Sequence, residues 1–376
     1  MTTICIDCRY IGARPSGIGE VVQGLVDWAP MLAPDLRFLL LRSAGRSTPL
    51  STARNVAEVI VPHAANGPAT MWWLRHVVDL KGVDLFHAPA NIMPAGLPVP
   101  CVVTVHDVMW LTHPSWCRSG VRGLIDRAFY RHGIRRALRD AAALATVSAA
   151  SAGAIAALAP SAAARTSVTL SGVSPRFAPV GGMEGRLAAL GLAAGRRHVL
   201  TVGQYAPYKN HDGALRAFAQ AFAGRGDVDL VLVQRMGRGA SALLALAEQL
   251  GIGGRVQVLA GVAFEDLLAL YSSAAALLHP SFCEGFGNPL AEAMACGCPV
   301  VTSDVSAMPE VTAGAALLAS PYDPGAIAAQ LRRVVDDAGL AEVMRQRGLA
   351  RAGELSWRRF AEANLAVYRR VLGAGA

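Results

Sequence analysis

At 376 residues, 53% of them hydrophobic, the chain is long enough for two cores and too apolar to be a disordered segment. The net charge of +8 comes from 35 basic against 27 acidic residues, and Lys81 and Lys209 are the only basic residues that are not Arg. Seven Cys, odd in number and without framework spacing, exclude a disulfide scaffold and point to a reducing compartment, the cytoplasm.

The first apolar run, 3–7, reads as a strand; Asp7 and Arg9 interrupt it, so it is not a signal peptide. Cys5 and Cys8 form a C-x-x-C, but an offset of three along a strand sends the thiols to opposite faces. That favours buried thiols over a redox or zinc pair. The glycine-bearing loop Pro15-Ser16-Gly17-Ile18-Gly19 follows and leads into a helix over 20–28. Without a third glycine at the required place, it is a weak dinucleotide signal. Further strands are expected at 37–41, 56–61, 85–87, 101–106 and 143–147. His106 stands at the carboxyl end of one of them, where open α/β sheets bind ligands.

Between the last two of these strands lies a basic segment. Arg118, Arg122, Arg127, Arg131, Arg135, Arg136 and Arg139 stand against Asp126 and Asp140. Arg127, Arg131, Arg135 and Arg139 recur every four residues and share one face of a helix, beside an apolar strip of Tyr130, Ile134 and Leu138. Such a surface suits nucleic acid, anionic lipid or a phosphorylated acceptor. Aromatic interleaving is sparse and no recognition motif accompanies it, which argues against nucleic acid. The favoured partner is an anionic membrane surface met by Arg118, Arg122, Arg127, Arg131, Arg135 and Arg139, with Trp116 and Phe129 as interfacial anchors. The weakly apolar stretch 141–164 crosses Pro160 and reads as a strand and a helix, not a bilayer span.

Pro and Gly cluster at 172–185, as in an interdomain linker. The expected division is an N-terminal domain at 1–177 and a C-terminal domain at 178–356. The last helix, 357–376, is long enough to pack back on the first domain. The second domain alternates strands at 198–202, 230–233, 256–259, 276–279 and 300–303 with helices at 214–223, 241–250, 265–272, 290–295 and 324–338. Alternation of this kind means βαβ units and parallel sheets. The fold class is therefore α/β, with two doubly wound Rossmann-like domains facing across a cleft. Asp227-Val228-Asp229 imitates a metal-binding D-x-D, but it sits at the entry to a strand, the wrong end for a ligand, and no metal is expected.

Residues 284–310 carry the most chemistry. Glu284 and Glu292 stand eight positions apart, separated by a glycine-rich loop, an N-cap at Asn288 and Pro289 at the first helical position. Gly297 reads as the stop, before a short buried strand. The amides of Phe286, Gly287 and Asn288 then point out of a helix N-terminus, which carries about half a positive charge. An anion cradle flanked by acceptors for hydroxyls is what a phosphorylated sugar needs.

The run PSFCEGFGNPLAEAMACGCPVVTSDVSAMPEV closely resembles the donor-site signature of the group 1 (family four) glycosyltransferases of GT-B fold. Val202-Gly203 with Lys209-Asn210, Asp266-Leu267 with Tyr271-Ser272, Val105-His106-Asp107, Val147-Ser148 and Gly17-Ile18-Gly19 extend the resemblance nearly end to end. It implies a retaining, metal-independent transfer without a protein nucleophile and without a cofactor. The donor would be a nucleotide-diphosphate sugar carrying a hexose or deoxyhexose such as mannose, rhamnose or glucose. The acceptor would be a glycan or a polyprenyl-linked glycan in bacterial polysaccharide or glycolipid synthesis, and the enzyme cytoplasmic, peripheral on the inner face of the membrane.

By the same resemblance His106, Glu284 and Lys209 are catalytic. Glu284 would hold sugar hydroxyls, Glu292 the ribose diol, and Lys209 the diphosphate. Gln204, Phe286, Gly287, Asn288, Pro289 and Leu290 would complete the donor site, and the loop of Gly17 and Gly19 would close over the diphosphate or shape the acceptor site. Relatives often carry Arg where this chain has Gln204, and Arg235 would replace that charge. A nucleotide-sugar epimerase of the same fold is the alternative. A phosphorylase is set aside because no Lys follows Lys209 to hold pyridoxal phosphate.

Overall fold

The computed structural model describes residues 1–12, 16–117, 120–234 and 239–373. Arg118 and Arg235, both singled out above, lie outside these. The chain divides into two compact units, Met1–Gly172 with Ser356–Ala376, and Val173–Leu355. The division thus falls at 172 rather than 177.

In the first unit seven parallel strands, β1 (Thr3–Asp7), β2 (Arg37–Ser43), β3 (Val56–Val61), β4 (Leu85–Ala88), β5 (Cys101–Val105), β6 (Ala143–Thr146) and β7 (Thr166–Val168), lie in the order β3-β2-β1-β4-β5-β6-β7. The central strands read as continuous apolar runs because helices cover both faces; every residue of β4, β5 and β6 is buried. β7 escaped the sequence reading because it is a three-residue, half-exposed edge. Cys5 and Cys8 are buried free thiols.

The first helix, Gly17–Leu32, begins three residues earlier than expected. Ser16 is its N-cap and accepts from the Gly19 amide at 3.0 Å, so Gly17 and Gly19 form a first helical turn and not a loop. A Cβ at Gly19 would lie 2.7 Å from the Tyr10 carbonyl oxygen, which is why only glycine fits there. The C-terminal helix Trp357–Gly373 packs on this one: Trp357, Phe360, Leu365 and Tyr368 join Val22, Leu25 and Val26 in one core. Tyr368 Oη meets His87 Nδ1 on β4 at 2.6 Å, and Arg370 donates to Ser167 Oγ on β7 at 2.8 Å.

The second unit holds six parallel strands, β8 (Arg197–Val202), β9 (Val228–Gln234), β10 (Val256–Ala260), β11 (Ala276–His279), β12 (Val300–Ser303) and β13 (Ala316–Ala319), in the order β10-β9-β8-β11-β12-β13. β13, Ala-Leu-Leu-Ala, is a half-buried edge strand that the sequence reading did not anticipate. The segment read as a linker is seated on this unit by Phe177, whose ring lies 5.2 Å from that of Phe264. The helix expected over 324–338 ends at Asp336, and a second, Ala338–Glu354, starts where the Asp337 carboxylate accepts from the Leu340 amide. Among the described residues no helix is long and apolar enough to cross a membrane.

Candidate functional site

In the second unit the chain leaves β8 toward β9 on one side and returns to β11 on the other. The strand order therefore reverses between β8 and β11, and it is beyond the carboxyl ends at such a reversal that open α/β sheets bind ligands. After β8 the chain makes a short turn, Pro207–Lys209, and Asn210 follows in the left-handed region at φ 54°. Asn, with a short side chain that bonds locally, tolerates that conformation. Its Oδ1 caps helix His211–Ala221 by accepting from the Gly213 amide, while its Nδ2 donates to the carbonyls of Pro280 (3.0 Å) and Pro321 (2.9 Å). The Phe282 amide donates to the Tyr208 carbonyl at 2.8 Å. These bonds lock the Lys209 loop to the loop that follows β11.

The locked loops bring Lys209 Nζ to 2.6 Å from Glu284 Oε1. The same oxygen accepts from His279 Nε2 at 2.9 Å and from Ser281 Oγ at 2.8 Å. Burial alone would raise the Glu284 carboxyl, but Lys209 and His279 outweigh it and hold it at about 2. Burial likewise works against the Lys209 ammonium, and Glu284 overcomes it, so Lys209 titrates above its ordinary value. His279 is pushed down by burial, against the pull of Glu284, and is neutral at pH 7. The result is a buried, fully ionised pair with its geometry fixed by two further donors. Below it, Ser306 Oγ accepts from the Glu284 amide and donates to the Glu284 carbonyl, which pins the backbone.

Helix Asn288–Ala295 starts at the end of this loop. The N-cap is Gly287, not Asn288: Gly287 adopts φ 95°, and Asn288 and Pro289 make the first turn. The reason is the tight bend from Glu284 into the helix, which requires left-handed backbone. Gly287→Ala is expected to strain the bend by about 1–2 kcal/mol, the more so because a Cβ there would lie 3.0 Å from Leu290 Cδ1. Thermal unfolding should show a midpoint lower by roughly 2–8 °C.

Glu292 projects from the second turn of this helix. Its Oε2 accepts from Tyr271 Oη at 2.8 Å, and the Tyr271 hydroxyl is raised well above its ordinary value by burial and then by Glu292. Tyr271 is fully buried, so it fixes the carboxylate without competing for solvent. Phe286, Gly287 and Leu290 are buried around the bend, while Asn288 and Pro289 are half-buried. Gln204 is half-buried in the loop after β8.

In the first unit His106 follows β5. Its amide donates to Asn91 Oδ1 at 2.6 Å, its carbonyl accepts from Ser151 Oγ, and its Nε2 donates to the Pro89 carbonyl at 2.8 Å. Burial lowers its basicity, with the Pro89 carbonyl and Asp107 opposing. A neutral ring with its proton on Nε2 keeps Nδ1 as the acceptor.

Asp227 and Asp229 lie at the opposite end of their sheet from Glu284, committed to arginines: Asp227 to Arg225 and Arg197, Asp229 to Arg196. Their D-x-D spacing is structural. The sequence reading missed Tyr271, His279, Ser281 and Ser306 as members of the Glu284 and Glu292 networks. His279 ends β11 in the same way that His106 follows β5, so the rule that singled out one applied to the other.

Residues 187–351 match the sequence model described as glycosyl transferases group 1. Over 161 residues the chain is 38% identical to O-antigen chain mannosyltransferase B of Escherichia coli, a stretch that is 43% of this chain and 42% of that protein. The chain thus spans less than half the length of the curated relatives it matches. Its structure is similar to that of sucrose-phosphate synthase from Thermosynechococcus elongatus, with a TM-score of 0.75 at 20% identity and all of both chains covered. It is also similar to HepE from Anabaena in complex with UDP and glucose, with a TM-score of 0.72 at 18% identity, covering 98% of this chain and 100% of that one. At these identities the likeness establishes the fold, GT-B.

Proposed function

With residues 187–351 belonging to the glycosyl transferases group 1, we propose that the chain transfers a hexose or deoxyhexose from a nucleotide-diphosphate sugar to a glycan or lipid-linked acceptor in bacterial polysaccharide or glycolipid synthesis. The acceptor is met at an anionic membrane surface facing the cytoplasm. The observation that carries this reading is the buried, ionised Glu284, tied to Lys209 in the loops that follow β11 and β8 and beside a helix N-terminus. The O-antigen mannosyltransferase and the UDP- and glucose-bound HepE support the choice of substrate class. They favour transfer over the epimerase alternative.

In this reading Glu284, ionised across the working pH range, accepts from sugar hydroxyls. Glu292, oriented by the Tyr271 hydroxyl, accepts from the ribose diol, since carboxylate oxygens can each take more than one donor. The amides at Phe286, Gly287 and Asn288 and the N-terminus of helix Asn288–Ala295 receive phosphate oxygens. Lys209 shares its charge between Glu284 and the diphosphate as the sugar–phosphate bond breaks. The bond from the acceptor oxygen to the anomeric carbon forms on the same face, and the acceptor's proton passes to the leaving phosphate, so configuration is retained. The reaction takes no metal. His106, with Nδ1 as an acceptor, is assigned to the transfer step. The chain's own contribution is position and preorganised charge.

Glu292→Ala tests the donor assignment. It should raise the KM for the nucleotide sugar about tenfold to a hundredfold while kcat falls much less, as when binding common to ground and transition states is removed. Steady-state kinetics of nucleotide release in the presence of acceptor would measure it, and an unchanged KM would remove Glu292 from the site.

A further inference from the structure

The sugar chemistry leaves one large feature of the first unit unused, the outer face of helix Gly120–Asp140. Its inner face is packed: Ile134, Ala137 and Leu138 are buried, and Gly133 lies so close to Ile92 and Met71 that a Cβ would come within 2.6 Å of either. On the outer face Arg127, Arg131, Arg135 and Arg139 line one shallow groove of about 420 Å³. Arg139 is bridged to Asp140, but no carboxylate lies within ion-pair distance of Arg127, Arg131 or Arg135 among the described residues.

One turn before these arginines, Leu124 and Ile125 are 64% and 65% exposed. Beside the helix, Trp72 is held against Phe129 and His132, and its neighbour Trp73 is 55% exposed. The anchors expected from sequence are not the exposed ones: Trp116 is stacked on His113, and Phe129 is half-buried under Trp72.

Arginines without a carboxylate partner among the described residues, beside exposed aliphatic and indole side chains, make a surface with two chemistries. Arginines hold phosphate. Leu and Ile gain nothing from a solvated phosphodiester chain, but they gain by entering an acyl layer, and Trp favours the boundary between the two. A nucleic-acid surface would instead set its most exposed apolar groups as flat stacking platforms.

We propose that this face docks on an anionic phospholipid bilayer, with Arg127, Arg131 and Arg135 on lipid phosphates and Leu124, Ile125 and Trp73 at the acyl boundary. The proposal rests on the reading of a membrane-linked acceptor above, and it names the surface that would bring the enzyme to it.

The test is co-sedimentation of the full chain at low salt with vesicles of phosphatidylcholine alone and with about a third phosphatidylglycerol. The wild type should sediment with the anionic vesicles and stay behind with the neutral ones. Each arginine near such a surface is worth about fivefold in partitioning, so Arg127→Gln, Arg131→Gln and Arg135→Gln together should weaken binding about a hundredfold. Leu124→Ser with Ile125→Ser should weaken it at least about tenfold. Trp73→Phe should remove most of the blue shift in indole emission on the anionic vesicles.

Wild-type protein that stays in the supernatant, or an arginine variant that binds undiminished, would overturn the proposal. So would retention on a single-stranded polynucleotide by protein that ignores vesicles. In parallel, thermal shifts with nucleotide sugars should be the same for wild type and variants. Vesicle binding without any such shift would support docking while removing the donor assignment, so the two readings fail separately.

Discussion

Glu284→Ala is expected to reduce kcat/KM for sugar transfer by at least about a thousandfold, the scale of removing a preorganised charge from a reacting centre. It should also lower the stability of the second unit by about 3–5 kcal/mol. The two effects share one cause. Oε1 is the common partner of Lys209, His279 and Ser281, so its removal leaves a buried ammonium without its counter-charge. Glu284→Gln separates them, because it keeps the shape and loses the charge: activity should fall nearly as far, and stability less.

The pH dependence has a definite sign. The carboxyl titrates near 2 in the folded protein against an ordinary 4.5. Its stabilising contribution is therefore whole above about pH 4.5 and fades as the pH falls from there toward 2. Wild-type protein should lose more stability across that window than Glu284→Gln does, as measured by denaturant unfolding at each pH. Retention of a tenth or more of wild-type activity in Glu284→Ala would remove Glu284 from the donor site.

Truncation before Ser356 is expected to unfold the first unit. The helix Trp357–Gly373 follows the second unit in the chain but supplies core to the first, where Phe360, Leu365, Val367 and Tyr368 are buried. Four such side chains contribute about 1.5–3 kcal/mol each, comparable with the roughly 5–15 kcal/mol that holds a domain folded. The loss also strands His87 on β4, whose ring is buried and held neutral, at about 3, by that burial and by His106. Tyr368→Phe isolates this last part. It should cost about 1–3 kcal/mol by leaving His87 Nδ1 without its partner. Limited proteolysis and circular dichroism would follow both variants. A truncated chain whose first unit stays protease-resistant would show that the helix is an accessory.

What the sequence disclosed, and what it hid, divides along physical lines. Fully buried parallel strands such as β5 and β11 announce themselves as unbroken apolar runs, and the alternation of runs with helices gives the two-sheet architecture. The edge strands β7 and β13 do not, since a short half-solvated strand has no period to read. Glu284 and Glu292 stood out as charges in glycine-rich and apolar settings, whereas Lys209 was marked only by the resemblance to the family. Of their partners, His279 and Ser281 look like ordinary core or turn residues until the loops after β8 and β11 meet, and Tyr271 was marked only by the resemblance, without a role.

The start of helix Asn288–Ala295 shows the same limit on a smaller scale. Asn followed by Pro is a good capping signal, yet the bend behind it needed positive φ, and Gly287 took the cap. The outer face of helix Gly120–Asp140 was legible in its charges alone. Its apolar half joins Leu124 and Ile125 of the helix to Trp73, some 50 residues upstream in the chain.

The most direct test of the central claim is a thermal-shift panel of UDP, GDP, ADP and dTDP sugars on the wild-type protein. At least one of them should stabilise the protein by mass action, and the shift should be lost in Glu292→Ala. Uniform silence across the panel, or a shift that survives in Glu292→Ala undiminished, would contradict that claim.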